Sequence, residues 1–368
     1  MALPLVPRAI ASLPWMVLLV LGSVVGFSAI VLYSAAGASV MPWALPQAVR
    51  FGVFLVMTIV VSRLSLETMK RGIFLAYGAV MLLLIGVEVL GFVGGGARRW
   101  INLGFMSLQP SELMKPIVVM AVAYFYSMIP AREMKKWGAI WPAVLILGIP
   151  FFFILIQPDL GTATLTALGG VTVMFLAGVS LWLFIGGLVF LGTAGPIALS
   201  FLHDYQRERV LIFLNPESDP LGSGYHISQS KIAIGSGGLF GKGFLNGTQS
   251  HLDYLPEGHT DFIFATMAEE WGLMGGLFLL VAFGLLLRWG MAVSIRCTDR
   301  FSRLTAAGLT TIIFLHVAVN LMMVMGLAPV VGIPLPLFSY GGSAMMTVML
   351  CVGIIMAIDR GNRRAGRP

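Results

Sequence analysis

Runs of about twenty apolar residues, separated by short polar breaks, occupy nearly the whole chain. About twenty residues of helix cross the hydrocarbon core of a bilayer. About ten such runs can be drawn, over residues 15–36, 45–61, 73–93, 111–128, 137–156, 161–177, 181–202, 262–287, 304–325 and 341–358. The stretch 161–202 reads as two spans, because Gly178-Val179-Ser180 breaks it and its length suits two crossings. The runs are long and unbroken, without the ten-residue alternation of a membrane barrel, so the backbone is expected to satisfy itself as helix. The first run is too long for a signal-peptide core, although Ala36-Gly37-Ala38 resembles a weak cleavage site, and it reads as a retained helix. The pattern predicts an all-α polytopic membrane protein, with residues 1–368 forming a single ten-helix membrane domain. One long polar stretch, residues 203–260, interrupts it between the seventh and eighth helices. A loop of that length in a compact protein is usually functional.

Composition strengthens this reading. The chain is 58% hydrophobic and 11% charged, where soluble domains carry roughly a quarter charged residues. The net charge of +7 follows the bias of cytoplasmic loops toward Lys and Arg. Arg63, Lys70 and Arg71 fall in one loop; Arg132, Lys135 and Lys136 fall two loops later. Arg288, Arg296, Arg300 and Arg303 fall in another, and Arg360, Arg363, Arg364 and Arg367 end the chain. Ten spans with both termini cytoplasmic put all of these on one side and the 203–260 loop outside. No soluble basic face suggests nucleic acid. Cys297 and Cys351 have no metal spacing and no disulfide is expected between them. Gly22-x-x-x-Gly26 could pack the first helix against a neighbour.

Four polar segments fall on the outer face. Tyr254 to Phe264 closes the long loop and runs into an apolar helix that still carries Glu269 and Glu270. Acids at the lip of a membrane helix are costly, so they are functional candidates. Asp261 could cap that helix or, held ionised by the helix dipole, act as a base toward a hydroxyl; spacing leaves both open. Asp253, Glu257 and His259 lie beside it. In Gln109-Pro110-Ser111-Glu112-Leu113-Met114-Lys115, Ser111 suits an N-cap and Glu112 the first turn. Lys115 could pair with Glu112 at i,i+3 or wait for an anionic lipid headgroup. Arg98-Arg99-Trp100 precedes this segment. Asp159, in Gln157-Pro158-Asp159-Leu160-Gly161-Thr162, could cap the sixth helix or face the same cavity as Asp261. Residues 329–342, rich in Pro and Gly, need a backbone buried in protein or lining a cavity. The glycines around Gly241-Lys242-Gly243 do not make a P-loop, because Ser236 stands where its first Gly belongs and Gly243 where its Ser/Thr belongs. They suit turns and close backbone approach, and residues 228–234 suit a short amphipathic helix on the membrane.

Taken together these segments resemble the SEDS family (shape, elongation, division, sporulation) of bacterial cell-wall proteins. The resemblance rests on Arg99-Trp100, Gln109-Pro110-Ser111-Glu112-x-x-Lys115, Gln157 to Thr162, His203-Asp204-Tyr205-Gln206-Arg207-x-Arg209 and Asn215 to Gly222. It continues through Tyr225 to Gly243, Gly247-Thr248-Gln249-Ser250, Leu255-Pro256-Glu257-x-His259-Thr260-Asp261-Phe262-Ile263-Phe264-Ala265, and Pro334-Leu335-Pro336-x-x-Ser339-Tyr340-Gly341-Gly342-Ser343. The segment containing Lys231 and the Glu-Ser-Asp-Pro run favour its elongation-type branch over its division-type branch.

The resemblance implies a ten-helix peptidoglycan glycosyltransferase of the bacterial cytoplasmic membrane that polymerises lipid II beside a class B penicillin-binding protein, a transpeptidase. It places the essential acid at Asp261 and other functional positions at Lys115, Glu112, Asp159 and Arg209. Arg99, Trp100, His259 and Lys231 join them as candidate substrate-binding residues. Lys115, Arg99 and Arg209 are the expected cations for a diphosphate leaving group. No cofactor is evident, and a divalent cation, Mg or Mn, could share that task through Asp261 or Asp159 oxygens. Two alternatives stay open: a lipid II flippase, and a scaffold that activates the transpeptidase.

Overall fold

The computed structural model describes residues 13–94, 97–102, 104, 107–198, 212, 223–252, 254–255 and 257–365. In chain order these form α1 (Trp15–Ala35), α2 (Ala44–Val61), α3 (Leu66–Leu90), β1 (Phe92–Gly94), β2 (Ala97–Asn102), β3 (Ser107–Leu108) and α4 (Pro110–Met128). Then come α5 (Trp137–Ile156), α6 (Leu160–Ala177), α7 (Leu181–Ala198), α8 (Ser223–Gly237), α9 (Thr248–His251), α10 (Ile263–Arg296), α11 (Arg300–Val324) and α12 (Gly342–Ala365). Eight of these are long and apolar enough to cross a membrane: α1, α2, α3, α5, α6, α10, α11 and α12. The two remaining expected runs fall on α4, which carries Glu112 and Lys115, and on α7, whose apolar stretch Leu181–Ala194 is shorter. The chain is a multi-pass, predominantly helical membrane protein. The helical expectation missed one feature, a three-stranded antiparallel sheet β1-β2-β3 between α3 and α4.

Apolar side chains facing lipid gain little by facing each other, so helix contacts rely on small residues and polar bonds. Helix α12 is the axis, with 83% of its span buried against 22% for α2. Around it, α4, α6 and α11 meet closely. A methyl group at Gly308 of α11 would come within 2.7 Å of Val119 on α4, and one at Gly169 of α6 within 2.9 Å of Ile312 on α11. Polar ties join the same bundle: Thr58 Oγ1 of α2 donates to the Met349 carbonyl of α12 at 2.9 Å.

Two segments interrupt the helical pattern. Residues 326–341 run without helix through buried surroundings, with Leu335, Leu337 and Phe338 almost fully covered. Their carbonyls are held by side chains from three helices: Ser28 donates to Phe338, Gln47 to Ser339 and Asn320 to Ile333. Non-helical backbone at such depth needs this protection. The second interruption is a break in α10 at Gly272, with φ 62° and ψ −155°. The turn after α8 crosses the break, so that Leu273 and Met274 donate to the Gly238 and Leu239 carbonyls, while Lys242 and Gly243 donate to those of Glu269 and Glu270. A methyl at Gly241 would meet the Glu270 carbonyl oxygen at 2.0 Å. The glycines thus serve close backbone approach, as the sequence suggested.

Helix α8 is longer than the expected segment 228–234. It docks on α10 and α11 instead of lying free on a bilayer surface: Ile227 and Ala233 join a buried cluster with Phe262 and Met323, and Ser230 Oγ donates to the Val324 carbonyl at 2.7 Å. Several helices also outrun their apolar segments at one end. Helix α3 begins at Leu66, capped by Ser65, and so carries Lys70 and Arg71; α10 carries Arg288 and Arg296. Hydrophobicity marks where the bilayer ends, whereas the helix continues through residues of good helical propensity such as Lys and Arg.

The basic clusters meet at that end of the molecule. Lys70 pairs with Asp299 at 3.3 Å, Arg360 donates to the Arg63 carbonyl, and Asn362 to that of Arg296. Arg300 caps the C-terminal ends of α4 and α6 by donating to the Ile129 and Ala177 carbonyls. A cation there answers the helix dipoles as well as orphan carbonyls.

Candidate active site

At the opposite end a cavity of about 400 Å³ opens between the sheet, the starts of α4, α6 and α12, the turn before α10, and the 331–334 segment. Arg99, Trp100, Glu112, Asp159 and Asp261, widely separated in sequence, all line it, together with Gln109, Thr162, Glu257, Thr260 and Tyr340.

Asp261 sits in the turn ahead of α10. The cap position of that helix belongs to Phe262. The Asp261 backbone is tied to the opposite wall. Asn320 of α11 donates through Nδ2 both to the Asp261 carbonyl at 2.9 Å and to the Ile333 carbonyl at 2.7 Å, binding the acid's turn to the opposite cavity wall. Thr266 Oγ1 reaches back to the Gly258 carbonyl at 3.0 Å. Glu257, at φ 57°, lies on the same wall.

Asp159 satisfies both expectations. Its Oδ1 accepts from the Thr162 N–H at 3.0 Å, capping α6, and its Oδ2 accepts from Gln109 Nε2 at 2.7 Å. Gly161 lets this helix start against the Val331 carbonyl. Arg99 completes the corner. Phe92 pairs with Trp100 and Val93 with Arg98, which leaves Arg99 as the bulged residue of β2; bulges re-aim side chains. Its guanidinium donates to the Gln157 carbonyl at 2.7 Å and the Pro158 carbonyl at 2.6 Å, and lies 3.8 Å from Asp159.

Ser111 is not the N-cap of α4. The helix starts one residue earlier at Pro110, with Gln109 at the cap position and its side chain committed to Asp159; proline's fixed φ suits a first helical turn. Glu112 reaches the cavity, but Lys115 is fully buried behind it and does not line the wall. Lys115 Nζ lies 2.5 Å from Glu112 Oε1 and 2.8 Å from His316 Nε2 of α11. Of the two uses open to Lys115, the pairing with Glu112 is formed.

The other candidates are placed elsewhere. His259 stacks on Trp43 at 4.1 Å between centroids, and its carbonyl accepts from the Tyr340 N–H. Burial holds its imidazole below the usual range, against the opposing pull of Glu257. Lys231 is exposed on α8 with its stem over Gly326. Arg209 lies outside the described residues. Among the described lining residues Arg99 is the one cation, and Arg50 stands behind them, 4.6 Å from the Tyr340 ring centroid.

Sequence reasoning passed over Asn320, Gln47, His316, Gln109 and Arg50. Amides and an imidazole inside otherwise apolar helices were the available signal. As for a metal, both Asp159 oxygens are engaged, and among the described residues no group of three or more His, Cys, Asp or Glu side chains is arranged to ligate one. Glu257 and Asp261 alone do not make a protein-only divalent site.

The FtsW/RodA/SpoVE family, described as cell cycle protein, matches residues 8–364. The chain belongs to this family. It is 45% identical over 350 residues to the peptidoglycan glycosyltransferase MrdB of Escherichia coli K12, covering 94% of this chain and 92% of that one. Among solved structures, it superposes with a TM-score of 0.82 and 33% identity on a chain of a peptidoglycan synthase complex that coordinates polymerization and crosslinking, covering 95% of this chain and 98% of that one. It superposes with a TM-score of 0.71 and 30% identity on the rod shape determining protein RodA of Thermus thermophilus, covering 95% and 97%. The small sheet and the non-helical 326–341 segment therefore belong to a member of the FtsW/RodA/SpoVE family, 94–95% of which aligns with such relatives.

Proposed function

We propose that this chain is the elongation-type peptidoglycan glycosyltransferase of a bacterial cytoplasmic membrane, polymerising lipid II into glycan strands with its cavity on the extracytoplasmic face and both termini in the cytoplasm. The observation that carries this reading is Asp261: an acid on a cavity wall at the membrane end of the bundle, its backbone carbonyl tied by Asn320 to the opposite wall. The substrate's polyprenyl tail needs lipid and its sugars need water, and a cavity at the bundle's polar end serves both.

In this mechanism Asp261 takes the proton from the GlcNAc 4-hydroxyl of the acceptor as general base. The freed oxygen attacks the anomeric carbon of the donor MurNAc opposite the diphosphate. The new C–O bond forms as the bond to phosphate oxygen breaks, the configuration inverts from α to β, and undecaprenyl diphosphate leaves. Arg99, anchored at two carbonyls, supports the leaving group. Lys115 neutralises Glu112 from behind instead of meeting phosphate directly. A class B penicillin-binding protein is the proposed partner, consistent with the synthase complex among the structural relatives.

The test is lipid II polymerisation by purified protein in detergent, with and without that transpeptidase. Asp261→Ala is expected to cut glycan synthesis by about 10²–10⁴-fold at unchanged thermal stability. Near-normal synthesis by the variant would refute the assignment. Product formed in detergent, with no membrane to cross, separates a polymerase from a flippase; loss of product with the partner still bound separates it from a scaffold.

A further inference from the structure

His316 enters no step above, yet it is almost fully buried and in contact with the pair that backs the cavity. Its surroundings fix its protonation. Nδ1 lies 2.9 Å from the Ile312 carbonyl, which can only accept, so Nδ1 carries the ring proton. Nε2 lies 2.8 Å from the Lys115 ammonium, which can only donate, so Nε2 is bare and accepts. The same ammonium donates to Glu112 Oε1, and Glu112 Oε2 stands 4.0 Å from the imidazole. A lysine ammonium is a point charge on a flexible stem and has no direction of its own. The glycine contacts of α6 and α11 against Val119, one turn beyond Lys115, hold α11 where His316 can supply that direction.

We propose that His316 is a positioning residue for the reaction. As a neutral, Nδ1-protonated imidazole it accepts a hydrogen bond from Lys115 at Nε2, fixes the ammonium beneath Glu112, and so holds the Glu112 carboxylate at one place on the cavity wall. A fixed carboxylate repels diphosphate, so Glu112 receives the neutral donors of the substrate, sugar hydroxyl or amide N–H. The inference rests on the polymerase reading. It differs from a packing role, because packing needs only the ring's volume, whereas positioning needs the Nε2 lone pair.

The experiment combines kinetics with the ring's own signal. His316→Leu keeps volume and removes the acceptor; His316→Gln returns an acceptor near the Nε2 position. With purified protein and lipid II, His316→Leu is expected to lower kcat/KM by about tenfold to a hundredfold, the scale of one lost hydrogen bond to a charged group. His316→Gln should recover most of it. Adding His316→Leu to Lys115→Met should cost nothing further, because both remove one unit. Nitrogen NMR of the unsubstituted protein should show His316 with a bare Nε2, and this needs no variant to fold. Additive losses, full activity in His316→Leu, or a protonated Nε2 would each overturn the proposal. Asp261→Ala, run alongside, separates the failures. An active Asp261→Ala protein sinks the polymerase reading itself; an inactive one with normal His316→Leu sinks only this inference.

Discussion

At the scale of single residues, Gln109 and His316 hold the side chains of Asp159 and Lys115 from distant parts of the chain. Asp261, Glu112, Asp159, Arg99 and Trp100 reach one cavity as expected, because costly polar groups at membrane depth need a reason to be there. Lys115 and Asp159 each offered two uses: Lys115 pairs with Glu112 of its own helix and meets His316 of α11, while Asp159 serves both, capping α6 at Thr162 and meeting Gln109 on the cavity wall. Substitutions at Asp159 separate its two uses. Asp159→Asn still caps α6 but turns an amide N–H toward Gln109 Nε2, so it should cost less stability than Asp159→Ala, which loses the cap, worth about 1 kcal/mol, and the Gln109 bond as well. Lower polymerisation in a stable Asp159→Asn protein would assign the charge to the reaction. His259 gives a pH signature. Its folded pKa is depressed by burial, so below about pH 6.5 the unfolded ring takes a proton more readily than the folded one. The stability conferred by the neutral ring is complete above that value and falls as the pH drops through it toward the folded pKa. Thermal unfolding between pH 8 and 5 should show a smaller loss for His259→Phe, which keeps a ring to stack on Trp43.

At the scale of elements, the twenty-residue apolar rhythm marked the helices because length and hydropathy are local properties. Their ends were less legible. Helix α10 runs on to Arg296 past the apolar run, and α8 spans Ser223–Gly237 because it packs on α10 and α11. The sheet that aims Arg99 was unreadable, since strands this short leave no periodic signal. Glycine substitutions test the elements directly. Gly241→Ala would place a methyl at positive φ against the Glu270 carbonyl, and should lower stability by about 2–4 kcal/mol in a detergent melt. Gly22 and Gly26 behave differently from the expected packing motif, because among the described residues nothing beyond the helix's own backbone lies within 4 Å of a methyl at either position. Gly22→Ala should therefore raise stability, by about 0.5–1 kcal/mol of helical propensity. A loss would mean that another helix uses this face.

At the scale of the whole molecule, charge and chemistry separate to opposite ends. Arg63, Lys70, Arg300 and Arg360 converge at one end and Asp159 and Asp261 at the other. In cells, a cysteine replacing Glu133 should be shielded from an impermeant thiol reagent, and one replacing Glu257 should react; the reverse would invert the proposed orientation. The sequence by itself determined the class of protein, its helical runs and the acids at their lips, because the bilayer's thickness and the cost of burying charge act on each segment separately. Only the tertiary structure decided that Asn320 ties Asp261 to the 333 segment, that Arg99 is turned onto the start of α6, and that Lys115 meets His316. These are contacts between segments far apart in the chain, set by how the helices pack around α12, and no local pattern encodes which distant atom fills a given hydrogen bond.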